Sequence, residues 1–147
     1  MTPYLDAGFL ITLLIRTPGS RAAREALHRF QAPFFLNFLH QLQIENFLVR
    51  GQTEGTGEEQ RAALEGNRLW RQYVDEGVFQ FRGVDWETAF RMAITWNRAY
   101  TRRAPAPLLL LHPALAAVAG ASHFLSFDPR SRQTAKAGGL RALPQEL

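Results

Sequence analysis

Three acids stand where a sequence can do chemistry: Asp6, Glu45 and Asp128. Asp6 closes the short apolar run Pro3-Tyr4-Leu5, and Asp128 closes His123-Phe124-Leu125-Ser126-Phe127, so each reads as the residue at the end of a strand. Glu45 falls among Leu42, Ile44 and Phe47, an expensive neighbourhood for a lone carboxylate. Carboxylates that converge repel one another unless something positive compensates. Mg2+ or Mn2+ is the natural partner, because hard cations take oxygen ligands and keep several waters. Such a metal can hold a phosphodiester, generate hydroxide from bound water and stabilise the leaving oxygen. Each acid also has a structural reading. An Asp after a strand is commonly the N-cap of the next helix, and Glu45 can be a rim residue paired with an arginine such as Arg50.

The cations point the same way without specifying it. Seventeen Lys+Arg face 13 Asp+Glu, a formal charge of +4, and every one of those cations except Lys136 is arginine. Arginine's planar donor fork suits phosphate. Arg102 and Arg103 precede an Ala-Pro-Ala-Pro loop, and Arg130 and Arg132 open the stretch after Asp128; either pair serves phosphates or a solvated face. No base-reading module such as an RRM or a zinc finger is visible, so any nucleic-acid contact is expected to be electrostatic and shape-based. His112 reads as a core or supporting histidine, and His40, about a turn before Glu45, as a capping or packing residue. The absence of cysteine excludes disulfides, Cys-ligated zinc and thiol catalysis.

The elements that must position these residues follow from periodicity and punctuation. Helices are expected over Gly8 to Ile15, over Arg21 to Phe30 with Ser20 as N-cap, and over Leu39 to Arg50 after an Asn37 cap. A flexible polar loop, Gly51 to Gly57, then leads into a long helix from Glu58 to Glu76, closed by Gly77. Asp85 caps a helix running to about Tyr100, Leu108 to Gly120 is the most apolar helix, and a basic helix covers Pro129 to Ala137. Asp85 and Glu87 read as helix N-terminal acids that complement the dipole. Short strands fall at Pro33 to Leu36, Val78 to Phe81, His123 to Phe127 and Leu140 to Leu143. Apolar strands alternating with helices imply a parallel sheet covered on both faces: an α/β fold, a three-layer α/β/α sandwich with a mainly parallel central sheet. In such sheets ligands sit outside the carboxyl ends of the strands, where Asp6 and Asp128 belong and which Glu45 can overhang. The 147 residues fit a single domain, 1–147. The N-terminal apolar stretch contains Asp6, and Ala104 to Ala121 holds three prolines and His112, so neither a secretory leader nor a membrane span is expected; the expectation is a cytoplasmic protein.

Tyr4-Leu5-Asp6-Ala7-Gly8-Phe9-Leu10, His40-Gln-Leu-Gln-Ile-Glu45-Asn46-Phe47-Leu48 and Gly120-Ala-Ser-His-Phe-Leu-Ser-Phe-Asp128 with Arg130 and the Ala135 to Leu140 tail resemble, in order, the motifs of the PIN domain family. The closest likeness is to VapC-type toxins of toxin–antitoxin pairs, and it spans nearly the whole chain. The resemblance implies a metal-dependent endoribonuclease with Asp6, Glu45 and Asp128 as catalytic and metal residues, Mg2+ or Mn2+ as cofactor, RNA as substrate, an antitoxin protein as partner, and a homodimer. It also marks a departure. The family's third acid opens the helix before the last acidic strand in a stretch like Asp-x-Leu-His, and here that stretch is Leu109-Leu110-Leu111-His112, followed directly by Pro113. Gly8 likewise replaces the small hydroxyl residue two places after the first Asp. Losing a carboxylate deletes a ligand and a unit of compensating charge. The implied alternative is therefore a catalytically degenerate PIN domain that binds RNA or a protein.

Overall fold

The computed structural model describes residues 1–99 and 105–144. Among them the elements run β1 (Pro3–Leu5), α1 (Ala7–Leu14), α2 (Ser20–Leu27), β2 (Phe34–Leu36), α3 (Phe38–Glu54), α4 (Gly57–Asp75), β3 (Phe79–Phe81), α5 (Trp86–Arg98), α6 (Pro107–Val118), β4 (His123–Leu125), α7 (Pro129–Ala137) and β5 (Arg141–Leu143). This is a mixed α/β architecture in which every strand pairing is parallel. The chain divides into two compact units, one made of Met1–Asp6 with Gly83–Leu147, the other of Ala7–Arg82.

The first unit is built on a three-stranded sheet in the order β1-β4-β5. Leu5 registers with Leu125, and Leu125 with Leu143, so the three strands end level. All residues of β1 and β4 are buried, which is why both read as unbroken apolar runs rather than alternating ones. Helix α7 packs on β4 and β5, completing a β4-α7-β5 crossover, and α6 packs against α5 and α7. Pro107 occupies the start of α6, where its missing N–H costs nothing. Pro113 lies inside that helix and is buried. Its lack of an N–H removes the bond that the Leu109 carbonyl would otherwise accept from four residues on. That carbonyl instead accepts from Ser131 Oγ at 3.2 Å, tying the first turn of α6 to the first turn of α7.

The second unit holds the parallel pair β2-β3, with Phe34 opposite Phe79 and Leu36 opposite Phe81. Trp70 and Tyr73 of α4 pack on Phe79, with ring centroids 5.7 and 5.4 Å away. Helices α3 and α4 form a helical hairpin joined by Gly55 and Thr56 alone. The expected loop over residues 51–57 is therefore corrected: α3 continues through Glu54. Gly51 lies within this helix, where a Cβ would stand 2.8 Å from Cβ of Ala63, so the glycine serves the close approach of the two helices. Gly66 does the same for α4, its missing Cβ falling 3.1 Å from Ile15 Cγ1 and Leu48 Cδ2.

Other boundaries shift for local reasons. Ser20 is the first residue of α2 and not its cap; its hydroxyl donates to the Ile15 carbonyl at 3.0 Å and accepts from the Thr17 N–H at 2.8 Å. Helix α2 ends at Leu27 rather than Phe30, and β4 at Leu125 rather than Phe127. The expected caps Asn37 and Asp85 are present. Asn37 accepts from the Leu39 and His40 N–H groups while His40 Nδ1 accepts from the Asn37 N–H. The expected helix end at Tyr100 lies outside the described residues.

Candidate functional site

Asp6 and Asp128 belong to the same unit and to the same edge of its sheet. Asp6 follows Leu5 directly, and its N–H donates to the Leu125 carbonyl at 3.0 Å, prolonging the β1–β4 ladder by one step. Its residue is 8% exposed, so this acid is nearly enclosed at the carboxyl end of β1. Asp128 lies three residues beyond the last residue of the neighbouring strand and caps α7. Its Oδ1 accepts from the N–H groups of Arg130 at 2.8 Å and Ser131 at 2.9 Å. Ser126, fully buried, holds the intervening turn: its hydroxyl accepts from the Asp128 N–H at 3.0 Å, and its own N–H donates to the Leu143 carbonyl. The structural reading of Asp128 as an N-cap thus holds, and the cap orients the carboxylate at the sheet edge.

Leu109 stands beside this group. Ser131, whose N–H bonds Asp128, also donates its hydroxyl to the Leu109 carbonyl, so residue 109 and the Asp128 cap share one partner. Leu109 is half-buried in the first turn of α6, which carries no acid. Its side chain offers a cation no oxygen.

Glu45 belongs to the other unit, on α3. That helix buries His40, Ile44 and Leu48, a face repeating every four residues, and Glu45 lies off it. Glu45 is exposed and accepts from Gln41 Nε2 at 2.9 Å. The expected apolar surroundings do not materialise, because Leu42 is 67% exposed and Phe47 43%. The alternative pairing with Arg50 is also corrected, since Arg50 bonds Glu54 at 3.1 Å.

Among the arginines, Arg130 is exposed in the first turn of α7. Arg132 is half-buried and donates through Nη1 to the Pro144 carbonyl at 2.7 Å, a bond that secures the end of the chain's last strand. Arg102 and Arg103 lie outside the described residues. Asp85 accepts from the N–H and hydroxyl of Thr88, which hold its carboxyl below its usual range, and Glu87 pairs with Arg91; both serve α5. His112 is a core histidine, its Nδ1 bonded to the buried Tyr4 hydroxyl at 2.9 Å.

Ser126 and Ser131 complete this edge beyond the residues expected from the sequence. Their signal was local: a Ser two places before and another three places after the strand-end Asp, the spacing at which hydroxyl and capping bonds form.

Asp6 and Asp128 offer oxygen ligands of the hardness that Mg2+ or Mn2+ requires. Among the described residues no group of three or more His, Asp or Glu is arranged to hold a metal ion. One or two carboxylates suffice for Mg2+ when waters and substrate phosphates complete its shell.

No helix among the described residues is long and apolar enough to cross a membrane. No protein-family model matches the chain, and no curated protein or solved structure matches it.

Proposed function

We propose that this chain is a PIN-like, VapC-type metal-dependent endoribonuclease of weakened activity, a single three-layer α/β/α domain of cytoplasmic residence controlled by an antitoxin and working as a homodimer. The observation that carries the reading is the pair of carboxylates, Asp6 and Asp128, on the level carboxyl ends of adjacent parallel strands. Ligand sites of parallel sheets form outside that edge.

In this reading Asp6 and Asp128 hold Mg2+ or Mn2+, which when bound supplies a polarised phosphate and a more acidic water. Asp128 is held in orientation by the N–H groups of Arg130 and Ser131. Ser126 fixes the turn between strand and acid. The resemblance assigns Glu45 to the attacking water or the metal's hydration shell, and Arg130, Arg102 and Arg103 are the cations proposed for RNA phosphates, with Arg132 joining them only beside its bond to the Pro144 carbonyl.

A second reading, a degenerate PIN-like module that binds RNA or a protein without cleaving it, is favoured by Leu109, a hydrocarbon residue where the resemblance places an acid, whose backbone carbonyl accepts from the serine that also bonds Asp128. One experiment separates them. A panel of single-stranded and hairpin RNAs is incubated with the chain and millimolar Mn2+, and with its Asp6→Asn and Asp128→Asn variants. Cleavage lost in both variants supports the nuclease. RNA binding without cleavage supports the module, and cleavage that survives Asp6→Asn overturns the site.

A further inference from the structure

We propose that a cleft in the Ala7–Arg82 unit binds a small amphipathic carboxylate, an aromatic or medium-chain acid. The inference is independent of the nuclease reading. The cleft has a volume of about 320 Å³, at the small end of the roughly 300–1,000 Å³ typical of ligand pockets. Its floor is Phe34 and Phe79, the first residues of β2 and β3, both buried. The floor is rigid. The two rings lie 6.5 Å apart, Tyr73 meets Phe79 edge-on at 76°, and the Phe34 N–H donates to the Val78 carbonyl at 2.8 Å. Leu13, Leu27 and Phe30, each half-buried, make the apolar walls. A flat ring or a short alkyl chain gains here by leaving water, and aromatic walls favour an aromatic guest.

Charge selects the head group. Arg24 of α2 and His28, four residues on, both line the cleft and lie on one side of that helix. No acid lines it. The nearest acid in sequence, Glu25, is engaged by Arg21 at 2.8 Å, and Arg24 takes part in none of the four ion pairs among the described residues. An apolar cleft with an arginine on its lining and no carboxylate among its described lining residues suits a guest that is apolar at one end and anionic at the other. The cleft opens at the amino ends of β2 and β3, whereas Glu45 lies on the helix that leaves the carboxyl end of β2. It is therefore a site apart from the acid proposed to act on RNA.

The test is an amide-shift NMR titration of the whole chain with 4-phenylbutyrate and, separately, with uncharged 4-phenylbutanol. Saturable shifts confined to the cleft, at Leu27, Phe30, Val78 and Phe79, are expected with the acid. The alcohol should bind about two- to fivefold more weakly, the scale of one exposed charge contact. Arg24 is exposed, so Arg24→Gln leaves the fold in place and should make the two probes bind alike. A second variant, Ala32→Trp, fills the cleft from an exposed lining position and should abolish both shifts. Absence of saturable shifts at millimolar probe overturns the proposal. So do shifts scattered over other surfaces, an alcohol bound as well as the acid, or an acid preference that survives Arg24→Gln.

Discussion

Leu109→Asp restores the acid that the PIN resemblance expects, and its consequence can be worked out from the contacts around Asp128. Residue 109 is in the first turn of α6, and Ser131 bonds both its carbonyl and the Asp128 carboxylate. The proposed function requires a carboxylate at this position to reach the surroundings of Asp128. The exchange gives up the burial of a half-buried leucine, about 1 kcal/mol. Against this, α6 has no acid in its first turn, and a carboxylate there gains about 0.3–1 kcal/mol from the helix dipole. The fold should thus lose less than about 1 kcal/mol, a fall in Tm of about 2–4 °C at most for a chain of this size. Metal binding should respond far more. Supporting groups one step removed from a metal already change affinity about 10- to 100-fold, so a third carboxylate should tighten Mn2+ by about tenfold or more. Calorimetric titration with Mn2+ reads the affinity, and thermal unfolding with and without Mn2+ reads the linked stabilisation. Leu109→Asn, the neutral isostere, should show no gain. A folded Leu109→Asp chain with unchanged Mn2+ affinity refutes the placement of residue 109 at the metal locus.

Two further outcomes follow from caps and carboxylates. Asp128→Ala removes the acceptor of two backbone N–H groups and should cost about 1 kcal/mol in urea unfolding, whereas Asp128→Asn, itself a good cap, should cost little, and under the proposed function both should lose metal binding; equal stability of the two would refute the capping role. Glu59 and Asp85 are fully exposed, and the backbone N–H groups of Thr56 and Thr88 hold their carboxyls below the usual range. Such groups stabilise the folded state above the ordinary carboxylate pKa, and the contribution is lost as pH falls through the lowered folded value. Hydrogen exchange should therefore show the first turns of α4 and α5 losing protection below about pH 4, ahead of α6, and uniform protection would contradict this.

What the sequence disclosed depended on how each residue is used. Asp6 and Asp128 were legible because each ends an apolar run, and a strand buried on both faces must be such a run. Glu45 was misjudged because α3 exposes large apolar residues. Phe38, Leu42 and Val49 are more than half exposed, so counting apolar neighbours placed Glu45 in an interior that the helix reserves for His40, Ile44 and Leu48. The 51–57 segment was misread for the opposite reason. Three glycines suggested a flexible loop, yet Gly51 answers to the approach of Ala63 across the hairpin, a contact between residues twelve apart that local pattern does not reveal. Ser20 likewise turned from cap to clasp because its hydroxyl found the Ile15 carbonyl first.

Pro113 joins these local choices to the site. In an α-helix a proline leaves the carbonyl four residues earlier without its donor, a loss that ordinarily destabilises the helix by about 3 kcal/mol. Here that carbonyl belongs to Leu109, and Ser131 Oγ supplies the missing donor across the α6–α7 contact. The same serine gives its N–H to Asp128, so the proline's vacancy is filled by a residue that also orients the sheet-edge carboxylate. The framework around Asp128 therefore runs through residue 109 whichever side chain that position carries, since a backbone carbonyl makes the bond. Substitution of Leu109 alters the ligand chemistry and spares the positioning. Under the proposed function, a single carboxylate at 109 is consequently the change to which metal binding at this edge should answer most.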